Sequence, residues 1–259
     1  MNPLTLLSII FLLVACKSPA KVKTITNIDY VQYAQDFVST LAKKENADKY
    51  IIAFREANTD ELEKQLDTSD KKKAFWLNIY NGYILAILQK SPELYEDRKA
   101  FFSKSQIEIA GKKLSFADIE HGIIRRSEFQ YFLGYVSNPF PGSFERKFRF
   151  DKQDYRIHFA LNCGAKSCPP VRVYKHEKVE EQLEASTMAY LKKTTKFDAT
   201  NKKAETTTLF SWFRGDFGGK SGAKKILFKR GIVPVEKFDV SYAFYDWTLD
   251  LENFIGMED

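Results

Sequence analysis

Two short stretches of this chain bring together thiols, imidazoles and a carboxylate. Tyr155 to Pro170, YRIHFALNCGAKSCPP, holds His158, Cys163 and Cys168, and Phe116 to Arg126, FADIEHGIIRR, adds Glu120 and His121. The whole chain has only three histidines and three cysteines, so few other residues compete for the same chemistry. Groups of these types build a nucleophilic site or a metal site. A cysteine attacks as its thiolate, which a neighbouring imidazolium or a helix N-terminus makes accessible. Cys163 is the candidate nucleophile, His158 or His121 its base, and Glu120 the orienting acid of a triad. Asn162 and the backbone amides that begin at Gly164 are the candidate donors to a developing oxyanion.

Spacing limits how these parts can meet. His158 and Cys163 lie five residues apart, about 16 Å if the strand stays extended. They approach only if the chain reverses near Asn162, and a reversal centred on Cys163 sets residue 168 opposite His158. Both histidines therefore stay open as the base. Glu120 and His121 are adjacent and diverge by roughly 100° on an α-helix, so Glu120 more naturally orients His158. Two other readings use the same residues. His121, His158, Cys163 and Cys168 supply four ligands for a tetrahedral zinc, although H-x4-C-x4-C is not a standard zinc spacing. Alternatively Cys163 and Cys168 form a disulfide or pack as small buried residues, His158 is a satisfied strand histidine, and Glu120 pairs with Arg125 or Arg156. The protein is then a non-catalytic binding module.

The elements that must hold these residues are mostly helical. Asp29 caps a first helix carrying Tyr30, Tyr33, Phe37 and Leu41 at three- and four-residue spacing. Further helices are expected over 47–56 and from Thr59. Asp70 to Lys90 is the strongest helix, apolar nearly all round and therefore central. Its Asn78 and Asn81 are expected to be buried and to brace a neighbouring loop by hydrogen bonds. Ile107 to Ser115 reads as a hairpin turning at Gly111, and Ser115 with Asp118 as the start of the FADIEHGIIRR helix. Tyr155 to Asn162 alternates as a strand, with His158 on the more polar face. Helices follow around 178–193, 209–213 and 221–229, and SYAFYDWTLDL is a closing strand candidate. Helices outnumber strands and no βαβ rhythm appears. The expected fold is α+β, a helix-rich single domain with a small, mainly antiparallel sheet.

The ends and the charge bound the setting. Leu4 to Val14 is an apolar run too short to span a bilayer, and Leu13-Val14-Ala15-Cys16 follows the pattern of a bacterial lipobox. The expectation is a signal peptide over 1–16 with lipidation at Cys16, a tether over 17–28 and one domain over 29–259. That places the protein in the cell envelope, on the periplasmic side, anchored to a membrane by lipid and not by a span. The net charge of +6 comes from lysines scattered among acids, which argues against a nucleic-acid partner.

Several ordered motifs, AFWLNIYNGY, LSFADIEHGIIRR, RIHFALNCGAKSCPPVRVY and the closing YDW, resemble the DUF547 family. The likeness covers roughly Ala74 to Trp247. It implies kinship with the cysteine-peptidase fold and a Cys-His-Glu site on Cys163, His158 and the Glu120-His121 pair. The reading that follows is a cysteine-dependent hydrolase or acyl-transfer enzyme on a peptide or other amide-type substrate, with no cofactor and no metal.

Overall fold

The apolar segment AFWLNIYNGYILAIL forms the helix around which the chain is built. In the computed structural model, which describes residues 28–256, this helix follows three others. Helix α1 (Tyr30–Ala42) starts where Asp29 accepts from the Gln32 backbone N–H, as its sequence predicts. Helices α2 (Asp48–Glu56) and α3 (Thr59–Gln65) are short. Helix α4 (Ser69–Leu88) is capped by Thr68 and is buried on every side from Ala74 to Ala86. Because polar groups cannot be left unpaired there, Asn78 and Asn81 carry the hydrogen bonds of neighbouring loops. Asn78 bonds both backbone groups of Tyr174 at 2.8 and 2.9 Å. Asn81 donates to the Ala160 carbonyl and accepts from the Asn162 N–H, each at 2.9 Å.

Helix α5 (Arg98–Ser103) leads to a two-stranded hairpin, β1 (Ile107–Ile109) and β2 (Lys112–Leu114), turning at Ala110-Gly111. Asp118 then accepts from both the backbone and the hydroxyl of Ser115, fixing the start of the next segment. That segment, Asp118–Ile124, winds as a π-helical turn. Helix α6 (Ser143–Phe148), helix α7 (Val179–Thr194), strands β3 (Lys196–Asp198) and β4 (Lys203–Thr206), helices α8 (Leu209–Trp212) and α9 (Gly219–Lys229) and strand β5 (Asp239–Tyr242) complete the chain. In the three-stranded sheet β3 pairs antiparallel with β4, and β4 parallel with β5. The architecture is α+β and rich in helix.

One expected strand is not a strand. Tyr155–Phe159 is a 3-10 helix capped by Asp154, whose carboxylate accepts from the Arg156 N–H. A strand needs a neighbouring ladder, and here Asn81 takes the backbone groups of Ala160 and Asn162 that a ladder would use. The closing segment is also only partly strand. Beyond Tyr242 it runs irregularly and touches the Cys163 turn through single bridges, Ala165 with Leu249 and Val171 with Phe254.

Buried apolar residues from Tyr30 to Tyr245 join one core. Among the described residues no helix is long and apolar enough to cross a membrane. The signal segment and the lipidation residue Cys16 lie outside the described residues.

Candidate functional site

The turn after the 3-10 helix sets the position of Cys163. Asn162 accepts from the Gly164 N–H at 2.8 Å and donates to the Pro169 carbonyl at 2.7 Å, closing the turn across its base. The tail then clamps it from outside: Lys166 and Ser167 donate to the carbonyls of Thr248 and Asp246, and Asp250 donates to Gly164. Trp247 packs against Tyr245 and Trp212, and Asp246 caps its own turn at Thr248. Asn162 and the Gly164 amide, the expected oxyanion donors, thus hydrogen-bond within the turn.

Cys163 is bonded to Cys168, with Cα atoms 6.2 Å apart. The two ends of the bridge differ. Cys163 is half-buried and lines a cavity, whereas Cys168 is buried and receives two hydrogen bonds. The Cys163 N–H donates to the Cys168 sulfur at 3.0 Å, and the Tyr245 hydroxyl donates to the same sulfur at 3.2 Å. In this state neither sulfur is a nucleophile. While the bond stands, the two cysteines are also not available as zinc ligands. Among the described residues no group of three or more His, Cys, Asp or Glu is placed to hold a metal.

A cavity of about 460 Å³ gathers the expected site residues: Glu120, His121, His158 and Cys163 all line it. Its remaining walls are largely aromatic, with Phe102, Trp212, Phe213, Tyr245 and Trp247 among them. Glu120 and His121 reach the same cavity although adjacent in sequence. The π-helical winding separates successive residues by a smaller angle than the 100° of an α-helix. His176, the third histidine, stands apart beside Glu177.

The partner of His158 is a residue that no sequence motif marks. His158 Nε2 lies 2.7 Å from the Asp216 carboxylate, and the ring stacks on Phe213 with centroids 3.9 Å apart. Arg125 forks onto the same carboxylate at 2.8 and 2.9 Å, and its third nitrogen meets His121 Nδ1 at 2.8 Å. The Arg125 and His158 side chains are each 1% exposed. Burial alone would raise the Asp216 pKa, but hydrogen bonds from Arg125 and His158 and the Arg125 charge hold it well below the usual carboxylate range. Burial lowers the pKa of His158 against the pull of Asp216, and lowers that of His121 as well. Glu120 is held elsewhere, accepting from the Tyr80 hydroxyl at 3.1 Å, so it does not orient His158 as expected.

These partners fix the two tautomers by elimination. An ionised carboxylate only accepts, so neutral His158 carries its proton on Nε2 and has Nδ1 free as a base. A guanidinium only donates, so His121 accepts at Nδ1 and carries its proton on Nε2. His158 has the base's protonation pattern, and His121 has a donor's.

Asp216 is located by close backbone approach. Gly215 donates to the Leu133 carbonyl at 2.6 Å, and the loop carrying Gly134 lies against it. A Cβ on Gly134 would stand 1.8 Å from Asp216 Oδ1, and one on Gly215 would stand 2.2 Å from the Gly134 carbonyl oxygen. Glycine at both positions lets loop 129–140 seat on the Asp216 turn. No periodicity marks GDFGG as a site, and Asp216 lies 58 and 91 residues from His158 and Arg125.

Residues 64–191 match the family model described as protein of unknown function, DUF547. The match covers the middle of the chain, just under half of its length. It contains Glu120, His121, His158 and Cys163, while Asp216 and the clamping tail lie beyond it. No curated protein and no solved structure matches the chain.

Proposed function

We propose that this protein is a cysteine-dependent hydrolase or acyl-transfer enzyme for amide-type bonds, active when the Cys163–Cys168 bridge is reduced by a thiol. The observation that carries this reading is the shared cavity, lined both by Cys163 and by a histidine whose tautomer Asp216 fixes. The Cys163 thiol passes its proton to His158 Nδ1 and attacks the substrate carbonyl. The imidazolium so formed, facing the Asp216 carboxylate, returns the proton to the leaving amine, and water or an acceptor that gives its proton to His158 Nδ1 then takes the acyl group and restores the Cys163 thiol. Asp216 takes the orienting role that the sequence assigned to Glu120. His121, protonated on Nε2, is the donor to the developing oxyanion in place of Asn162 and Gly164.

The test uses Cys168→Ser, which frees Cys163 without a reductant. Its alkylation rate near neutral pH should exceed that of a free thiol by at least about tenfold, and His158→Ala should abolish the excess. An ordinary rate that ignores His158 rejects the nucleophile.

The disulfide favours a second reading, a non-catalytic binding module whose bridge only ties the turn. Normal aromatic-ligand uptake by a protein with inert Cys163 would select it. In either case the lipobox-like Leu13 to Cys16 supports a tether on the periplasmic side of the envelope. Cys16→Ala should move the protein from the membrane fraction to the soluble one.

A further inference from the structure

From Phe129 to Gly142 the chain has no charged residue, in a protein where 29% of residues are charged. Within that stretch Tyr131, Phe132, Leu133, Tyr135, Val136 and Phe140 are all exposed, Tyr131 by 78% and Phe140 by 87%. Leaving so many large apolar side chains in water is costly, and monomeric surfaces seldom do it without a partner. The loop is not merely slack chain. Phe129 donates to Val136 at 3.0 Å, Tyr135 to Phe132 at 2.9 Å and Asn138 to Ser127 at 2.6 Å, while Gly215 holds Leu133. Leu133 and Gly134 both take left-handed backbone conformations, φ 52° and 81°, which that bonding maintains.

We propose that loop 129–140 docks the protein on the surface of a phospholipid bilayer. Side chains exposed this fully stand out from the surface. That suits entry into a fluid interface, whereas a protein partner would need a matching pocket for each. Tyrosine and phenylalanine are also the residues that settle at the headgroup boundary. Cations stand on both sides of the loop. Lys112 and Lys113 flank the loop along one depression, with Arg98 and Lys99 beside Tyr131 on the other. Of the acids on those walls, Asp118 is engaged by Ser115, Glu128 by Ser137 and Gln153, and Glu120 by Tyr80, while Glu145 also faces the first depression. Exposed lysines around an apolar tip complement anionic headgroups. Tyr131 also lines the site cavity, so docking would set the cavity mouth at the lipid boundary.

Docking of this kind depends on the loop and not on catalysis. The full chain carrying Cys16→Ala, which cannot be lipidated, is sedimented with phosphatidylcholine vesicles with and without phosphatidylglycerol. Adding Phe132→Ser and Phe140→Ser should lower the partition coefficient more than about tenfold, with the circular dichroism spectrum unchanged. Phosphatidylglycerol should strengthen binding of the parent chain. A separate Phe140→Trp variant should keep the partition and gain a tryptophan signal quenched by brominated lipid. Unchanged partition in the double serine variant overturns the proposal, as does a tryptophan signal in the Phe140→Trp variant that brominated lipid leaves alone. A double variant that loses only self-association assigns the loop to a second copy of the chain and overturns it equally.

Discussion

The two cavity histidines are similarly placed and oppositely wired. Both are shielded from water, and burial lowers the pKa of each. One faces a permanent cation and the other a carboxylate, so they present opposite nitrogens as acceptors. Arg125 sits between them and sets both arrangements, directly at His121 and through Asp216 at His158. The lesson is that the residue type alone does not give a histidine its role. The charge of its hydrogen-bond partner does.

The largest way to break the comparison is to remove the shared cation. Arg125→Met leaves the Asp216 carboxylate buried without its fork, which should cost about 3–5 kcal/mol of stability in a denaturant titration. Arg125→Met with Asp216→Leu removes the orphaned charge too and should recover part of that loss. If the single variant unfolds with the parent, Arg125 is not what joins the two histidines.

A smaller change addresses one histidine alone. Asp216→Asn keeps the volume but removes the obligatory acceptor beside His158, at a cost of about 1–3 kcal/mol. Nitrogen-15 shifts of the imidazoles should show His158 losing its fixed Nε2–H tautomer while His121 keeps its own. Equal disturbance of both rings would mean that the two are not separately wired.

The difference also explains what could be read from sequence. Helix α4 was legible because an all-round apolar run leaves no alternative to burial, and Asn78 and Asn81 inside it had to find partners. Asp29, Gly111 and the Ser115–Asp118 pair were legible because local turn and cap chemistry needs only neighbours a few residues away. The grouping of Glu120 with His121, and of His158 with Cys163, was visible in two motifs, but whether the two motifs reach one cavity was not. Asp216 was not legible, because its partners are remote in sequence and its loop has no pattern. The alternation of Tyr155 to Asn162 misled for a related reason: a period of two shows which faces differ, not whether a neighbouring strand exists to pair with.

Acid should test both rings at once. Since burial lowers both histidine pKa values in the fold, the unfolded chain binds more protons in that range. Stability is therefore fully present above the ordinary histidine pKa, about 6.5, and is lost as pH falls below it. Asp216, also lowered, adds a loss of the same sign in the carboxylate range. The denaturation midpoint should be lower at mildly acidic pH than at neutral pH, and His158→Gln and His121→Gln should each flatten that slope. A midpoint that rises on acidification would mean that the pull of Asp216 on His158 outweighs burial and that His158 is held as a cation.

The smallest effect isolates the carboxylate that belongs to neither histidine. Glu120 is fixed from the core by the Tyr80 hydroxyl, on a phenol that burial first and Glu120 second keep protonated far above its usual range. Glu120 Oε1 lies 3.9 Å from His121 Nδ1, a nitrogen already accepting from Arg125, so the two acceptors cannot bond. Tyr80→Phe should therefore cost only about 1 kcal/mol, because Glu120 at the cavity wall can turn to water. The nitrogen shifts of both histidines should stay where they were. A shift at His158 would return Glu120 to the orienting role, and a shift at His121 would mean that its neighbour, and not Arg125 alone, sets the proton on its ring.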